Sequence, residues 1–138
     1  MGRIAGLDYG KARIGLAISD ERAILAQPKA FIPAGKTLEE TAKRIAGELV
    51  KHTPLTAIVI GLPLHMSGRD SPMSEEVRKL AQLLEVLCSV PIVLWDERLS
   101  TAQVERGLKE ANVSRKKRTP IVDSLTAALI LQNYLDRA

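Results

Sequence analysis

The sequence predicts an α/β protein with a mixed five-stranded sheet, three antiparallel strands followed by two parallel ones, flanked by helices. Apolar residues alternate with a period of two over residues 3–20, which is typical of paired antiparallel strands. Two later apolar runs, TAIVIG (residues 56–61) and PIVLW (residues 91–95), are typical of parallel strands covered on both faces. Stretches with helical periodicity separate and follow these runs, as expected for helices packed on a sheet.

The first two strands form a predicted hairpin. Ile4, Gly6 and Asp8 share one face of the first strand, and the same alternation resumes after the turn-like GKAR and continues to Ile18. A third extended segment, over about residues 23–31, contains a proline at position 28. Because proline lacks the N–H that a central strand needs, we expect this segment at an edge of the sheet.

Two amphipathic helices follow. Thr37 and Glu40 form a capping box at the start of the first, and Ser71 and Pro72 open the second. The apolar stripe of the first helix comprises Leu38, Ala42, Ile45 and Leu49. The stripe of the second comprises Met73, Val77, Leu80, Leu84 and Leu87. Each stripe predicts one buried helix face.

Two further helices are predicted after PIVLW, which we expect to be a buried strand. Ser100 and Gln103 cap the first of them, and Val104 and Leu108 give it an apolar side. The last helix is predicted from position 121 to about position 135. It is apolar nearly all round in its first half, so we expect that half to be buried.

Composition favours one soluble domain over residues 1–138. The chain has 46% hydrophobic and 26% charged residues, which is ordinary globular usage, and no repeat or linker is visible. Cys88 is the only cysteine, so no internal disulfide can form, and we expect it to pack as a small apolar residue. No apolar run is long enough to span a membrane and no signal peptide is recognisable, so we expect a cytoplasmic protein without a membrane partner.

Carboxylates stand where predicted elements begin or end. Asp8 ends the first strand, Asp96 and Glu97 directly follow PIVLW, and Asp123 lies in the first turn of the last helix. Sites in open α/β sheets form beyond the carboxyl ends of strands, and acids gathered there need a counter-ion. Because Mg²⁺ takes oxygen ligands, the pattern predicts a divalent-metal site.

Each acid also has a structural interpretation. Asp123 near a helix N-terminus is favourable with the helix dipole whatever its function. Asp96 and Glu97 are interpreted equally well as loop acids paired with Arg98. Asp8 is compatible with an Asx-turn at the hairpin corner, but three such coincidences together are less expected than one.

Four motifs carry a resemblance to a known family. GLDYGKARIGLAISD, VIGLPLHMSG, DERLSTAQVE and RKKRTPIVDSLTAALILQNYL resemble, in this order and over nearly the whole chain, those of the YqgF family, which is Holliday-junction-resolvase-like and has an RNase H-like fold. The resemblance implies a metal-dependent nuclease, with a role in processing the precursor of 16S ribosomal RNA or, alternatively, in resolving DNA junctions. It implies that Asp8, Glu97 and Asp123 form an acidic triad holding two Mg²⁺ or Mn²⁺ ions, with Asp96 as an alternative ligand. Related nucleases often carry an acid at the end of the fourth strand, where this chain has GLPLH.

Basic residues around these acids predict a nucleic-acid partner. The formal charge is +4, and SRKKR (residues 114–118) precedes Asp123, although a solvated loop explains that segment as well. Aromatic residues are only 3% of the chain, which favours contacts with phosphates over base stacking. The candidate phosphate contacts are Lys11, Arg13, Arg69, Arg98, Arg115, Lys116, Lys117 and Arg118.

Three functions are compatible with these features: a nuclease, a nucleic-acid-binding ribosome assembly factor with an idle site, and a single-domain ATPase. DYGKARIG also resembles the phosphate hairpin of actin-like and sugar-kinase ATPases, but those need two such domains and one is expected here. AGKT (residues 34–37) also lacks the glycine that a P-loop requires at position 30, where alanine stands, so the ATPase is disfavoured. His65 is a candidate proton shuttle by location alone, whereas His52 suits a helix C-terminus. Structured RNA against branched DNA, endonuclease against exonuclease, and monomer against weak dimer stay open.

Overall fold

The computed structural model describes residues 2–99 and 121–137. The strands are β1 (Arg3–Asp8), β2 (Arg13–Ser19), β3 (Ala26–Pro33), β4 (Leu55–Leu62) and β5 (Ile92–Asp96), and the helices are α1 (Leu38–Leu49), α2 (Pro72–Cys88) and α3 (Leu125–Leu135). The predicted helix beginning at Ser100 and the basic residues 115–118 lie outside the described residues.

The five strands form one mixed sheet in the order β3-β2-β1-β4-β5. Strands β1, β2 and β3 pair antiparallel, whereas β1, β4 and β5 run parallel. Leu7 in the central strand lies opposite Leu16 on one side and Ile60 on the other. The predicted fold class is confirmed, including the hairpin and the covered parallel strand β4.

Strand β3 is an edge strand, as the proline predicts, but it starts later than expected, at Ala26. The Asp20 carboxylate accepts hydrogen bonds from the backbone N–H of Ile24 at 2.7 Å and of Leu25 at 2.8 Å. These bonds fold the segment before β3 into a turn, so that it cannot pair with β2.

Both predicted helix starts are confirmed. Ser71 and Ser74 cap α2 reciprocally, each side chain accepting from the backbone N–H of the other. In α1 the Thr37 hydroxyl accepts from the N–H of Glu40, but the Glu40 carboxylate accepts from the N–H of Lys36 at 3.0 Å. The second half of that capping box is thus displaced by one residue.

The buried stripe of α2 ends one turn earlier than predicted. Leu84 is fully buried, whereas Leu87 is 46% exposed, because Cys88 and not Leu87 faces the core in the last turn. Cys88 packs there as the expected small apolar residue, and burial raises the pKa of its thiol.

Helices cover both faces of the sheet. One core lies between the sheet and helices α1 and α2, and a second, smaller core lies between the opposite face and α3. The fully buried residues of this smaller core are Ala17, Val59, Ala127, Ile130 and Leu131. None of the described helices is long and apolar enough to cross a membrane.

Two burial expectations were wrong. Strand β5 is half-buried along its whole length, because among the described strands it is the other edge of the sheet and pairs only with β4. The last helix begins with a 3₁₀ turn, Val122–Ser124, and in its first half Ile121 and Leu125 are each 50% exposed. α3 buries only the face that packs on the sheet, so an apolar composition all round does not make it a fully buried helix.

Candidate active site

Two of the predicted site acids lie at one end of the sheet. Asp8 is the last residue of β1, and Glu97 follows the last residue of the parallel strand β5. Asp8 is 8% exposed and Glu97 is completely buried. Removing a carboxylate from water is costly unless it is hydrogen-bonded or meets a cation, so these positions are typical of a functional or tightly bonded group.

Asp123 reaches the same end from the opposite direction in the chain. Its 3₁₀ turn lies on β2, where the backbone N–H of Leu16 donates to the buried Ser124 hydroxyl at 2.9 Å. A Cβ built on Gly15 would lie 2.6 Å from the Asp123 carbonyl oxygen and 3.3 Å from the Asp8 Cβ. Since Gly15 is also the cross-strand partner of Asp8, the two acids flank one glycine.

Glu97 approaches Asp8 from the other side. Its Oε1 lies 2.7 Å from the Cβ position of Gly61, which also faces Ile130 of α3. Gly61 directly follows Ile60, the β4 partner of Leu7, so Gly61 lies beside Asp8 in the sheet. The Asp8 carboxylate is therefore placed between two glycines, with Asp123 over one and Glu97 over the other.

Arg13 supplies a cation to this site. Its Nε lies 3.7 Å from the Asp123 carboxylate, and its guanidinium lies 5.2 Å from the centre of the Phe31 ring. The Arg13 side chain is still 41% exposed. Arg13, a predicted phosphate contact, therefore lies close to a site acid and is accessible to a ligand that enters from solvent.

Asp96, in contrast, bonds with Arg98. The Asp96 carboxylate accepts from Arg98 Nη2 at 2.7 Å and from the Arg98 backbone N–H at 2.9 Å, and these bonds lower the pKa of Asp96. Arg98 Nη1 also donates to the Met66 carbonyl at 3.2 Å, and the guanidinium lies against Gly68, whose φ is +91°. The pair fastens the end of β5 to the loop between β4 and α2.

Asp96→Asn and Glu97→Gln are expected to separate these two roles. Asp96→Asn weakens a partly exposed ion pair, so we expect a loss of about 1 kcal/mol or less in stability and a modest loss of cleavage. Glu97→Gln removes the charge but keeps the shape, so cleavage should fall by orders of magnitude. Melting temperature and Mn²⁺-dependent cleavage of both variants test this. An inactive Asp96→Asn beside an active Glu97→Gln would reverse the assignment.

The other predicted contacts lie around the same end. Lys11 is 76% exposed and lies 3.9 Å from Glu76. His65 and Arg69 are both exposed in the loop before α2, where the N–H of His65 donates to the Arg69 carbonyl at 3.0 Å. The candidates Arg115, Lys116, Lys117 and Arg118 lie outside the described residues.

Sequence reasoning missed the groups that position the acids. Gly15 and Gly61 leave the space that Asp123 and Glu97 occupy, and Ser124 fixes the turn. Tyr9 fastens the end of β1 to α2: burial and its hydrogen bond with Glu76 raise the pKa of its hydroxyl. The only signal in the sequence was a glycine in each of two apolar strands, which favours close backbone approach without saying to what.

The acids share one end of the sheet without forming a finished metal centre. Among residues 2–99 and 121–137, no three His, Cys, Asp or Glu side chains form a group that could hold a metal ion as they stand. The donor chemistry is nevertheless uniform, since all three predicted ligands are carboxylates, the class that hard divalent cations prefer.

This chain is similar to known proteins in sequence and in structure. Residues 2–137 match the family RuvX, described as Holliday junction resolvase. A protein of Protochlamydia amoebophila named "Putative pre-16S rRNA nuclease" is 47% identical over 139 residues, covering 97% of this chain and 93% of that protein. A protein of Halothermothrix orenii with the same name is 44% identical, covering 97% and 94%. T. thermophilus RuvC in complex with a Holliday junction substrate superposes with a TM-score of 0.56 at 14% identity, covering 99% and 97% of the two chains. This last likeness supports the RNase H-like fold.

Proposed function

Because this chain belongs to the RuvX family, we propose that it is a divalent-metal-dependent nuclease that cleaves phosphodiester bonds in the precursor of 16S ribosomal RNA. The names of its relatives support the RNA substrate, and cleavage of branched DNA is the alternative that the family description supports. The observation that carries the proposal is the placement of Asp8, Glu97 and Asp123, all nearly or fully buried, around one end of the sheet. We propose one such domain over residues 1–138.

The three carboxylates suit Mg²⁺ or Mn²⁺. Asp8 lies between the other two, and Asp8, Glu97 and Asp123 would together hold the ions. Divalent ions held here would supply activation of a water molecule and charge stabilisation at the leaving oxygen. Asp96 is not needed in this arrangement, because its oxygens are taken by Arg98.

The remaining residues orient the acids and the substrate. Ser124 holds the turn that carries Asp123, while Arg13 offsets its charge and is open to a phosphate oxygen. Lys11 and Arg69, both exposed near the same end, extend the surface available to the nucleic-acid backbone. We propose that structured RNA approaches this end of the sheet, in the cytoplasm where ribosomal precursors are processed.

Purified protein with Mn²⁺ tests the proposal directly. We expect the protein to cleave a 16S precursor RNA. We expect no cleavage of RNA that already has the mature end, and no cleavage of either RNA when EDTA is present. Trp95, the only tryptophan, lies two residues before Glu97. Its fluorescence is therefore used to test Mn²⁺ binding without measuring activity. Cleavage of a four-way DNA junction but not of RNA would favour the resolvase alternative. Mn²⁺ binding without any cleavage would favour an idle site.

A further inference from the structure

A cavity of about 540 Å³ opens at the other end of the sheet from the acids. It lies between the start of β1, the turn that precedes β3 and the residues that follow α1. Arg3, Arg22, Lys29 and His52 contribute its basic groups. Asp8 lies five residues beyond Arg3 in β1, which at ~3.3 Å per residue places the cavity about 17 Å from the candidate active site.

Basic side chains outnumber acidic ones in the lining of this cavity. Among the described residues, Asp20 is the one acid in the lining, and its carboxylate accepts hydrogen bonds from the backbone N–H groups of Ile24 and Leu25. Two further acids lie beside the cavity: Glu48, whose carboxylate lies 4.0 Å from His52 Nε2, and Glu21, between Asp20 and Arg22 in the turn. Three cations line the cavity with one engaged carboxylate, which favours the binding of an anion.

His52 is a titratable residue in the lining of the cavity. Burial is the main cause that lowers the pKa of His52, Glu48 opposes the shift, and Lys29 and Arg3 lower the pKa further. Lys29 and Arg3 line the same cavity as the imidazole. An anion placed among them would favour the protonated imidazole.

The wall of the cavity is partly apolar. The turn at Asp20 places Ala23 in the left-handed region with φ of 58° and presents Ile24 and Leu25, which are 55% and 62% exposed. Cations beside exposed aliphatic side chains match the two parts of a nucleotide, a charged phosphate and a less polar sugar and base. A free inorganic ion would use only the first part.

We propose that this cavity binds a backbone phosphate of the nucleic-acid substrate at a second contact, about 17 Å from the cleaved bond. The inference rests on the proposed nuclease function. Contacts to phosphates far from the reaction fix the register and orientation of a nucleic acid without reading its sequence. Such a contact favours a folded substrate long enough to reach both ends of the sheet over a short strand.

NMR titration of the histidine side chains tests the cavity without any cleavage. The chain has two histidines, so His52 and His65 give separable ring signals. We expect inorganic phosphate, and more strongly a non-cleaved RNA duplex of the precursor, to shift the His52 signals and raise its measured pKa. The double substitution Arg22→Gln with Lys29→Gln should abolish both responses, whereas Lys43→Gln, an exposed position on α1 outside the cavity, should not.

Salt dependence of RNA binding supplies the second measurement. Removing the proposed phosphate contact should reduce the slope of log K against log salt by about one and weaken binding roughly tenfold near 0.1 M salt. The melting temperature of the double variant checks that it folds. An unresponsive His52, or an unchanged salt slope, would overturn the cavity while leaving the nuclease assignment intact. A response to phosphate but not to RNA would also overturn it, in favour of a free-anion site. If the wild-type protein cleaved no substrate in any assay, the proposed nuclease function would be refuted, and the His52 result would be unaffected.

Discussion

Asp8→Asn is expected to reduce Mn²⁺-dependent cleavage by about three orders of magnitude or more while the protein stays folded. Asparagine keeps the shape of the side chain but removes the charge that two cations would share. Because the substitution also relieves repulsion among acids at one end of the sheet, the melting temperature without metal should not fall and is expected to rise. Mn²⁺ should then stabilise the wild type more than the variant.

Asp136→Asn is the matched control, since Asp136 is an exposed residue beyond the end of α3. It should cleave like the wild type. Combining Asp8→Asn with Glu97→Gln should cost little more than either change alone, because groups that act as a unit are not additive. Full cleavage by Asp8→Asn would exclude the metal-nuclease mechanism. If Asp136→Asn lost as much cleavage as Asp8→Asn, the loss would be due to the change in net charge and not to the site.

Gly15→Ala is expected to impair both stability and cleavage. The added Cβ would lie 2.6 Å from the backbone carbonyl of Asp123, which cannot rotate away as a flexible side chain would. Overpacking of this kind costs about 1–3 kcal/mol, and here the atoms that must move carry Asp123 and Ser124. We therefore expect a melting temperature lower by several degrees and a cleavage rate reduced more than tenfold.

Gly47→Ala makes the same chemical change where nothing is in the way. Gly47 lies inside α1, and apart from its chain neighbours and the backbone of its own helix no described atom lies within 4 Å of the Cβ position. Alanine is the better helix former, so this variant should gain about 0.5–1 kcal/mol and keep full activity. Thermal melts and cleavage rates of the two variants form the test. A Gly15→Ala protein as stable and active as Gly47→Ala would show that Asp123 is not held against β2 as described.

Features governed by near neighbours in the sequence were predictable. The hairpin, the edge position of β3 and the caps at Thr37 and Ser71 depend on alternation, on a proline without an N–H, and on side chains three residues apart. Burial was less predictable. Leu87 and Leu125 are apolar and exposed, because their burial depends on which elements pack over them.

The acids of the site could be identified from the sequence, but their positions in space could not be predicted. Asp96 and Glu97 are adjacent and chemically alike, so the sequence alone does not separate their roles. In the structure Asp96 bonds with Arg98 and fastens a loop, whereas Glu97 lies over Gly61 of β4. The contact of Asp123 with Gly15 joins distant parts of the chain, so no local pattern encodes it. The cavity around His52 likewise combines groups from three separate segments.

The hydrogen bond from Leu16 to Ser124 spans 108 positions of sequence, and this has a consequence for a protein made from its N-terminus. The five described strands all precede Asp123 in the sequence, and α3, which packs on one face of the sheet, follows it. Domains tend to fold as units during synthesis, so the last acid arrives with the element that closes the fold. If the three acids act together, an unfinished chain is unable to cleave RNA until its last helix has been made.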